Sequence, residues 1–187
     1  MKGSKSDRRV KYTKTVLKDA LVHLMQSQHI SSISVKSLCE IADINRSTFY
    51  THYSDPYDLL RQIEEDVMAN LKLHLEKQEY VDDLPVTAQA MSRILEYAKE
   101  NAELFKVLLS ENCDFAFQKD ILELSEIVSW QYSKTMDGRT MEYLKAYATT
   151  GCISLLHKWL KDGMVESVPT ITELILQVLY RGLISFQ

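Results

Sequence analysis

Residues 44–55 read INRSTFYTHYSD. Three aromatics, Phe49, Tyr50 and Tyr53, stand here with Arg46 and His52 between Asn45 and Asp55. A piece this short does not hold a helix in water by itself, so its meaning lies in what it packs against and what it leaves outside. Asn45 can cap a short helix. On that helix Phe49 and Tyr53, four apart, share one side, while Ser47, Thr48 and Thr51 face the other and Arg46, Tyr50 and His52 flank them. The aromatic side reads as the anchor and the hydroxyl side as the outer face.

Working outward, Ser34 can cap a helix over 35 to 41 or 42, with Val35, Leu38 and Ile41 pointing one way. Asp43-Ile44-Asn45 then breaks the chain, and Asp43 is one of the few non-glycine types that accept a positive φ. Upstream, from 13 to 28, Val16, Leu17, Ala20, Leu21, Leu24 and Met25 recur at helical spacing, one face of an amphipathic helix. Downstream, Asp55 is placed as an N-cap, Pro56 sits at the first helical position and Asp58 in the first turn, opening a long helix to about residue 78. Two short helices joined by a tight turn and buttressed by a longer one make a helix-turn-helix.

The rest of the chain supports an all-helical reading. Its 187 residues hold 5 Gly and 3 Pro, and apolar residues recur at three and four rather than two, so no strand is expected. No apolar run reaches the roughly 18 residues of a membrane span, and the N-terminal MKGSKSDRRVKYTK lacks the apolar core of a secretory signal, so a cytoplasmic protein is expected. Cys39, Cys113 and Cys152 are far apart and lack ligand spacing, which argues against a metal and for buried or semi-buried thiols. No cofactor is implied. His157 has no second ligand at helical metal spacing.

Charge divides unevenly. Residues 1–53 carry nine Lys and Arg against four acids, a net +5, leaving −9 for the rest of a chain whose total is −4. A basic head on an acidic body points to a polyanion met by the head alone. The outer face of the 44–55 helix suits the major groove of duplex DNA, about 12 Å wide. Its small residues allow close approach, Arg46 can fork onto guanine, a Thr methyl can meet a thymine methyl, and Tyr50 and His52 can reach phosphates.

The residues from 10 to about 65, with ISVKSLCEIADINRSTFYTHYSDPYDLL and above all the T-F-Y-x-H-Y core at Thr48 to Tyr53, resemble the TetR family of transcriptional regulators. The resemblance implies a fold of about nine helices, an N-terminal helix-turn-helix head and a larger body that binds an effector and dimerises. It also implies that Lys36, Arg46, Ser47, Thr48, Thr51 and His52 face DNA and that Tyr50 takes a phosphate. Two positions depart from the family: Asp43 stands where Gly is usual in the turn, and Pro56 where a Lys usually opens the fourth helix. Losing that Lys shifts the phosphate contacts toward the basic segment from Lys5 to Lys14.

The expected division is a head over 1–55, with a disordered basic tail over 1–10, and a helical effector-binding and dimerisation domain over 56–187. Pro85 and an acidic pair mark a loop at 80–87. Helices are expected near 86–100, 102–110 and 117–135. A helix over 140–161 carries an apolar belt (Leu144, Ala148, Gly151, Leu155, Trp159, widened by Tyr147, Cys152, Leu156 and Leu160), and Gly163 stops it. Thr170-x-x-Glu173 reads as a capping box for a last helix with Leu174, Ile175, Val178, Leu179 and Gly182 on its apolar side. Belts too wide for a helix with one wet side predict a partner, so helices 140–162 and 171–186 are expected to form a four-helix bundle with a second copy. The stretch GCISLLHKWLKDGM resembles a TetR subgroup in which a Trp-containing helix ends at Gly. Aromatics such as Phe105, Phe115, Phe117, Trp130 and Tyr147 are the candidates for lining an effector pocket.

The resemblance implies a dimeric DNA-binding regulator on a palindromic operator, with ligand-responsive repression the commoner outcome in the family, while the sequence is equally compatible with activation. The alternative, motivated by Asp43 and Pro56, is a TetR-like co-regulator or small-molecule carrier that has lost operator binding. An enzyme is disfavoured: there is no Gly-rich phosphate loop, HExxH or nucleophile elbow.

Overall fold

The computed structural model describes residues 3–76, 88–113, 117, 119–121 and 137–184. Every regular element among them is helical. They are α1 (Gly3–Met25), a single 3-10 turn (Ile30–Ser32), α2 (Val35–Ala42), α3 (Arg46–His52), α4 (Pro56–Glu76), α5 (Ala88–Glu100), α6 (Ala102–Leu108), α7 (Gly138–Lys161) and α8 (Val168–Ile184). The loop expected at 80–87 and most of the helix expected at 117–135, with Phe115 and Trp130, lie outside the described residues.

The chain forms two compact units. The first comprises Met1–Val67 together with Ser110–Asp114, so it runs past the expected boundary at 55/56. The reason is burial: Leu59, Leu60, Ile63 and Val67 of α4 are inside, with Leu17 and Leu21 of α1, Leu38 of α2 and Phe49 of α3. Asn112 fastens the distant segment to this unit. Its Nδ2 donates to the Met25 carbonyl at the end of α1, 3.0 Å away, and its own carbonyl accepts from the Ile30 N–H at 3.1 Å. Beside it the Cys113 thiol donates to Glu64 Oε1 at 3.6 Å, both groups buried. A helix leaves its last carbonyls without intrahelical partners, and Asn112 satisfies one of them from far along the chain.

Helix α1 corrects one expectation. A disordered tail is expected over 1–10, and the described part of that segment is helical, since α1 begins at Gly3. From Asp7 to Tyr12 every side chain is exposed, and Thr13, at 3%, is the first buried one. Apolar periodicity begins only after Thr13, so a reading based on apolar spacing starts the helix too late.

In the second unit α5 packs on α8, tied by Ser92 Oγ and Thr172 Oγ1 at 3.1 Å, and α6 packs on α7. Phe105 of α6 meets the Tyr97 ring of α5 edge-on, centroids 5.6 Å apart. Phe105 and Phe117 are core, 1% and 0% exposed. Helix α7 ends in a Schellman turn: Gly163 N–H donates to Leu160 O at 3.2 Å and Met164 N–H to Trp159 O at 2.9 Å, with φ of 87° at Gly163 and 57° at Met164. Gly163 fits that left-handed position without cost, as the sequence implied. The expected capping box at Thr170 and Glu173 is a correction. Helix α8 starts at Val168, Ser167 Oγ accepts the Thr170 N–H at 3.3 Å, and Glu173 instead accepts from Gln177. A Ser before an acceptable helix start satisfies the orphan N–H groups equally well.

Candidate nucleic-acid interface

The two helices of the motif are fixed by their caps. Ser34 Oγ accepts the Ser37 N–H at 3.1 Å, while Ser37 Oγ accepts the Ser34 N–H at 3.2 Å, a reciprocal box at the start of α2. At its end Asp43 adopts φ 51°, ψ 46°, a left-handed conformation that glycine adopts most readily. Its short polar side chain tolerates this. The Ile44 N–H then closes on Cys39 O at 3.0 Å. Asn45 Oδ1 accepts the Ser47 N–H at 2.9 Å and caps α3.

Behind α3 lie Phe49 at 0% and Tyr53 at 6% exposure. Burial pushes the Tyr53 phenol above its ordinary pKa, with Asp66 and Asp58 adding to it, so the ring stays neutral in the core. In front, Arg46, Ser47, Tyr50 and Thr51 are exposed, as is Lys36 on α2. Thr48 and His52 are half-buried and sit at the margins of the face rather than at its centre, because a seven-residue helix that hides Phe49 and Tyr53 draws their neighbours partly in. The exposed Tyr50 ring packs edge-on against Phe49, centroids 5.6 Å apart, which steadies it without hiding it.

The Ser47 and Thr51 hydroxyls on the face are already committed locally. Ser47 Oγ donates to Asn45 Oδ1 at 2.9 Å, and Thr51 Oγ1 donates to the Ser47 carbonyl at 2.9 Å. Giving up such a bond costs about 1 kcal/mol. Lys36 Nζ lies 3.8 Å from Glu40 Oε1, both side chains 65% exposed. That loose pair contributes little, yet it puts a carboxylate beside a candidate phosphate contact. Sequence reasoning passed over Glu40, although its i, i+4 spacing from Lys36 is the signal that finds it. It also placed Arg8 and Arg9 on a tail, whereas they stand, with Lys11, on the first turns of α1.

At the entrance to α4 the proline is accommodated locally. Pro56 is buried at the first helical position, and Asp55 Oδ1 accepts the Asp58 N–H at 2.8 Å. The Ser54 backbone N–H and hydroxyl bond Asp58 and hold its carboxyl below its usual pKa. The Cys39 thiol behind the turn is pushed up by burial, with the Arg46 charge acting the other way, so it is a neutral packing group. Among the described residues no three His, Cys, Asp or Glu come together as metal ligands would, and no helix is long and apolar enough to cross a membrane.

In the second unit the apolar belts meet along an open groove between α7 and α8, lined among others by Leu144, Gly151, Cys152, Leu155, Val178 and Leu179. Tyr147 also lines it and is 72% exposed, so it belongs to this surface and not to an interior pocket. Tyr143 at 65%, Val178 at 51% and Leu174 at 46% are exposed as well.

Comparison with known proteins agrees with this architecture. A family model described as a transcriptional regulator C-terminal region, of TetR type, matches residues 87–181, half of the chain. An uncharacterised HTH-type transcriptional regulator, YxbF of Bacillus subtilis, is 24% identical over 110 residues, 57% of this chain and 29% of its own length. The HTH-type transcriptional regulator AcrR of Shigella flexneri is 24% identical over 127 residues, 65% of this chain and 59% of its own. The chain thus spans less than two thirds of either relative. Among solved structures, a TetR transcriptional regulator from Streptococcus agalactiae superposes with a TM-score of 0.67 at 24% identity, covering 93% of this chain and 97% of that one. The chain belongs to the TetR family of transcriptional regulators.

Proposed function

We propose that the protein binds a palindromic operator as a homodimer and acts as a ligand-responsive repressor, with α3 in the major groove. The observation that carries this reading is the exposed face of α3, with Arg46, Ser47, Tyr50 and Thr51 outward and Phe49 and Tyr53 locked behind it. Arg46 takes the role of a base reader, Lys36 and Tyr50 of phosphate contacts, and Thr48 and His52 of marginal contacts. The basic residues on the exposed turns of α1, Arg8, Arg9 and Lys11, compensate on the DNA backbone for the Lys missing at Pro56.

Dimerisation through α7 and α8 is supported by the apolar groove and its exposed Tyr143, Tyr147, Leu174 and Val178. Two recognition helices would then sit roughly 34–36 Å apart in successive major grooves. An effector bound in the helical body would shift the population between DNA-competent and incompetent states by no more than its differential affinity for them. The reading as a co-regulator or carrier without operator binding has less support: Asp43 adopts the turn conformation without glycine, leaving only Pro56 in its favour.

Selection of bound sequences from random duplex DNA tests the proposal, and a palindrome is the expected result. Arg46→Ala should then cost about 1–3 kcal/mol at one base position. An equal loss on every sequence would make Arg46 a phosphate contact, and no enriched sequence would favour the co-regulator.

A further inference from the structure

The hydrogen-bond polarity of the outer face of α3 specifies which base atoms it can read. A hydroxyl has one proton and two lone pairs. Ser47 Oγ lies 2.9 Å from Asn45 Oδ1, which also takes the Ser47 N–H. An amide oxygen has no proton to give, so the serine supplies its own. Thr51 Oγ1 lies 2.9 Å from the Ser47 carbonyl, another oxygen that can only accept. Both protons point inward, and both side chains are exposed one helical turn apart, on the same row of the helix.

What remains outward is a pair of acceptors. Phosphate oxygens, guanine O6 and N7, adenine N7 and thymine O4 have no proton to offer them. The proton donors in the major groove are the exocyclic amino groups, adenine N6 and cytosine N4. Arg46, beside this row, carries donors only, so the two sides of the face are complementary in polarity.

We propose that Ser47 and Thr51 are specificity-determining residues that accept hydrogen bonds from adenine N6 or cytosine N4 amino groups, rather than phosphate contacts. This rests on the operator-binding reading above and names the chemistry it reads.

The test uses the full chain and the operator recovered by selection. At each half-site position, adenine is replaced by purine or cytosine by 2-pyrimidinone, which removes the amino group, and guanine by 7-deazaguanine as a control on acceptor atoms. Two positions per half-site should lose about tenfold in affinity on loss of the amino group. The penalty at one should vanish in Thr51→Val, which keeps the shape, and persist in Thr51→Ser, which keeps the oxygen. The penalty at the other should vanish in Ser47→Ala. Amino-group penalties of equal size in native protein and in these variants would overturn the assignment while leaving operator binding intact, as would a Thr51→Val loss that is uniform over all sequences. Failure of the selection to enrich any sequence would bring down the operator reading and this inference with it.

Discussion

The rings of Phe49 and Tyr53 lie 5.8 Å apart, tilted by 46°, on the hidden side of α3. Helix α3 has only seven residues, too few to persist without tertiary packing. The direction in which Arg46, Ser47 and Thr51 point is therefore set by these two rings and not by the helix itself.

Phe49→Ala should destabilise the protein by about 3–5 kcal/mol, the cost of emptying a fully buried aromatic site. Urea denaturation measures it, and sequence-selective DNA binding should fall further than stability alone explains. Tyr50→Phe, by contrast, should leave the denaturation midpoint unchanged and weaken binding alike on all sequences.

Asp43 holds φ at 51°, where a β-carbon is costly. Asp43→Gly should therefore stabilise the protein by up to about 1 kcal/mol, while Asp43→Val should lose about 1–2 kcal/mol or more. Thermal unfolding of the pair, in opposite directions, is the check. Equal midpoints would mean the turn does not depend on this conformation.

Val178 is 51% exposed in the groove between α7 and α8. Val178→Lys should leave the helical content intact but shift sedimentation toward the monomer. Affinity for a palindrome should fall while that for a half-site stays the same, since burying an unpaired charge at an interface costs several kcal/mol. A dimer that survives this change would place the interface elsewhere.

Cys152 lines the same groove, and burial pushes its thiol up from 9.0 to about 11. The folded value lies above the ordinary one, so the stability linked to the neutral thiol is present below pH 9 and is lost as pH rises through about 11. Alkylation of Cys152, followed by peptide mapping, should keep accelerating up to about pH 11 instead of levelling off near 9.0. Cys152→Ala should remove that part of the alkaline destabilisation.

Much of the head was legible because its signals are local. Ser34, Asn45 and Asp55 act on N–H groups two or three residues away, and the four-residue spacing of Phe49 and Tyr53 declares a face. Gly163 was legible for the same reason. The start of α1 was not, since the turns before Thr13 bury nothing and leave no periodic mark. Nor was the start of α8, where Ser167 and Thr170 both offer capping oxygens and tertiary packing decides between them. The depth of Thr48 and His52 depends on how far a short helix sinks against its neighbours, which spacing alone does not report. Asn112 and Glu64 were invisible, because their partners lie far away in the chain.

That last pair has a practical consequence for protein engineering. A graft that transplants residues 1–67 onto a foreign body leaves behind the strip at 110–114 that completes the same compact unit. Met25 then loses the amide that bonds its carbonyl, and Glu64 is left facing the space that Cys113 filled. Head-swapped hybrids of this protein should be cut so that the donor supplies both pieces, or built on a recipient that carries an asparagine at the equivalent of Asn112.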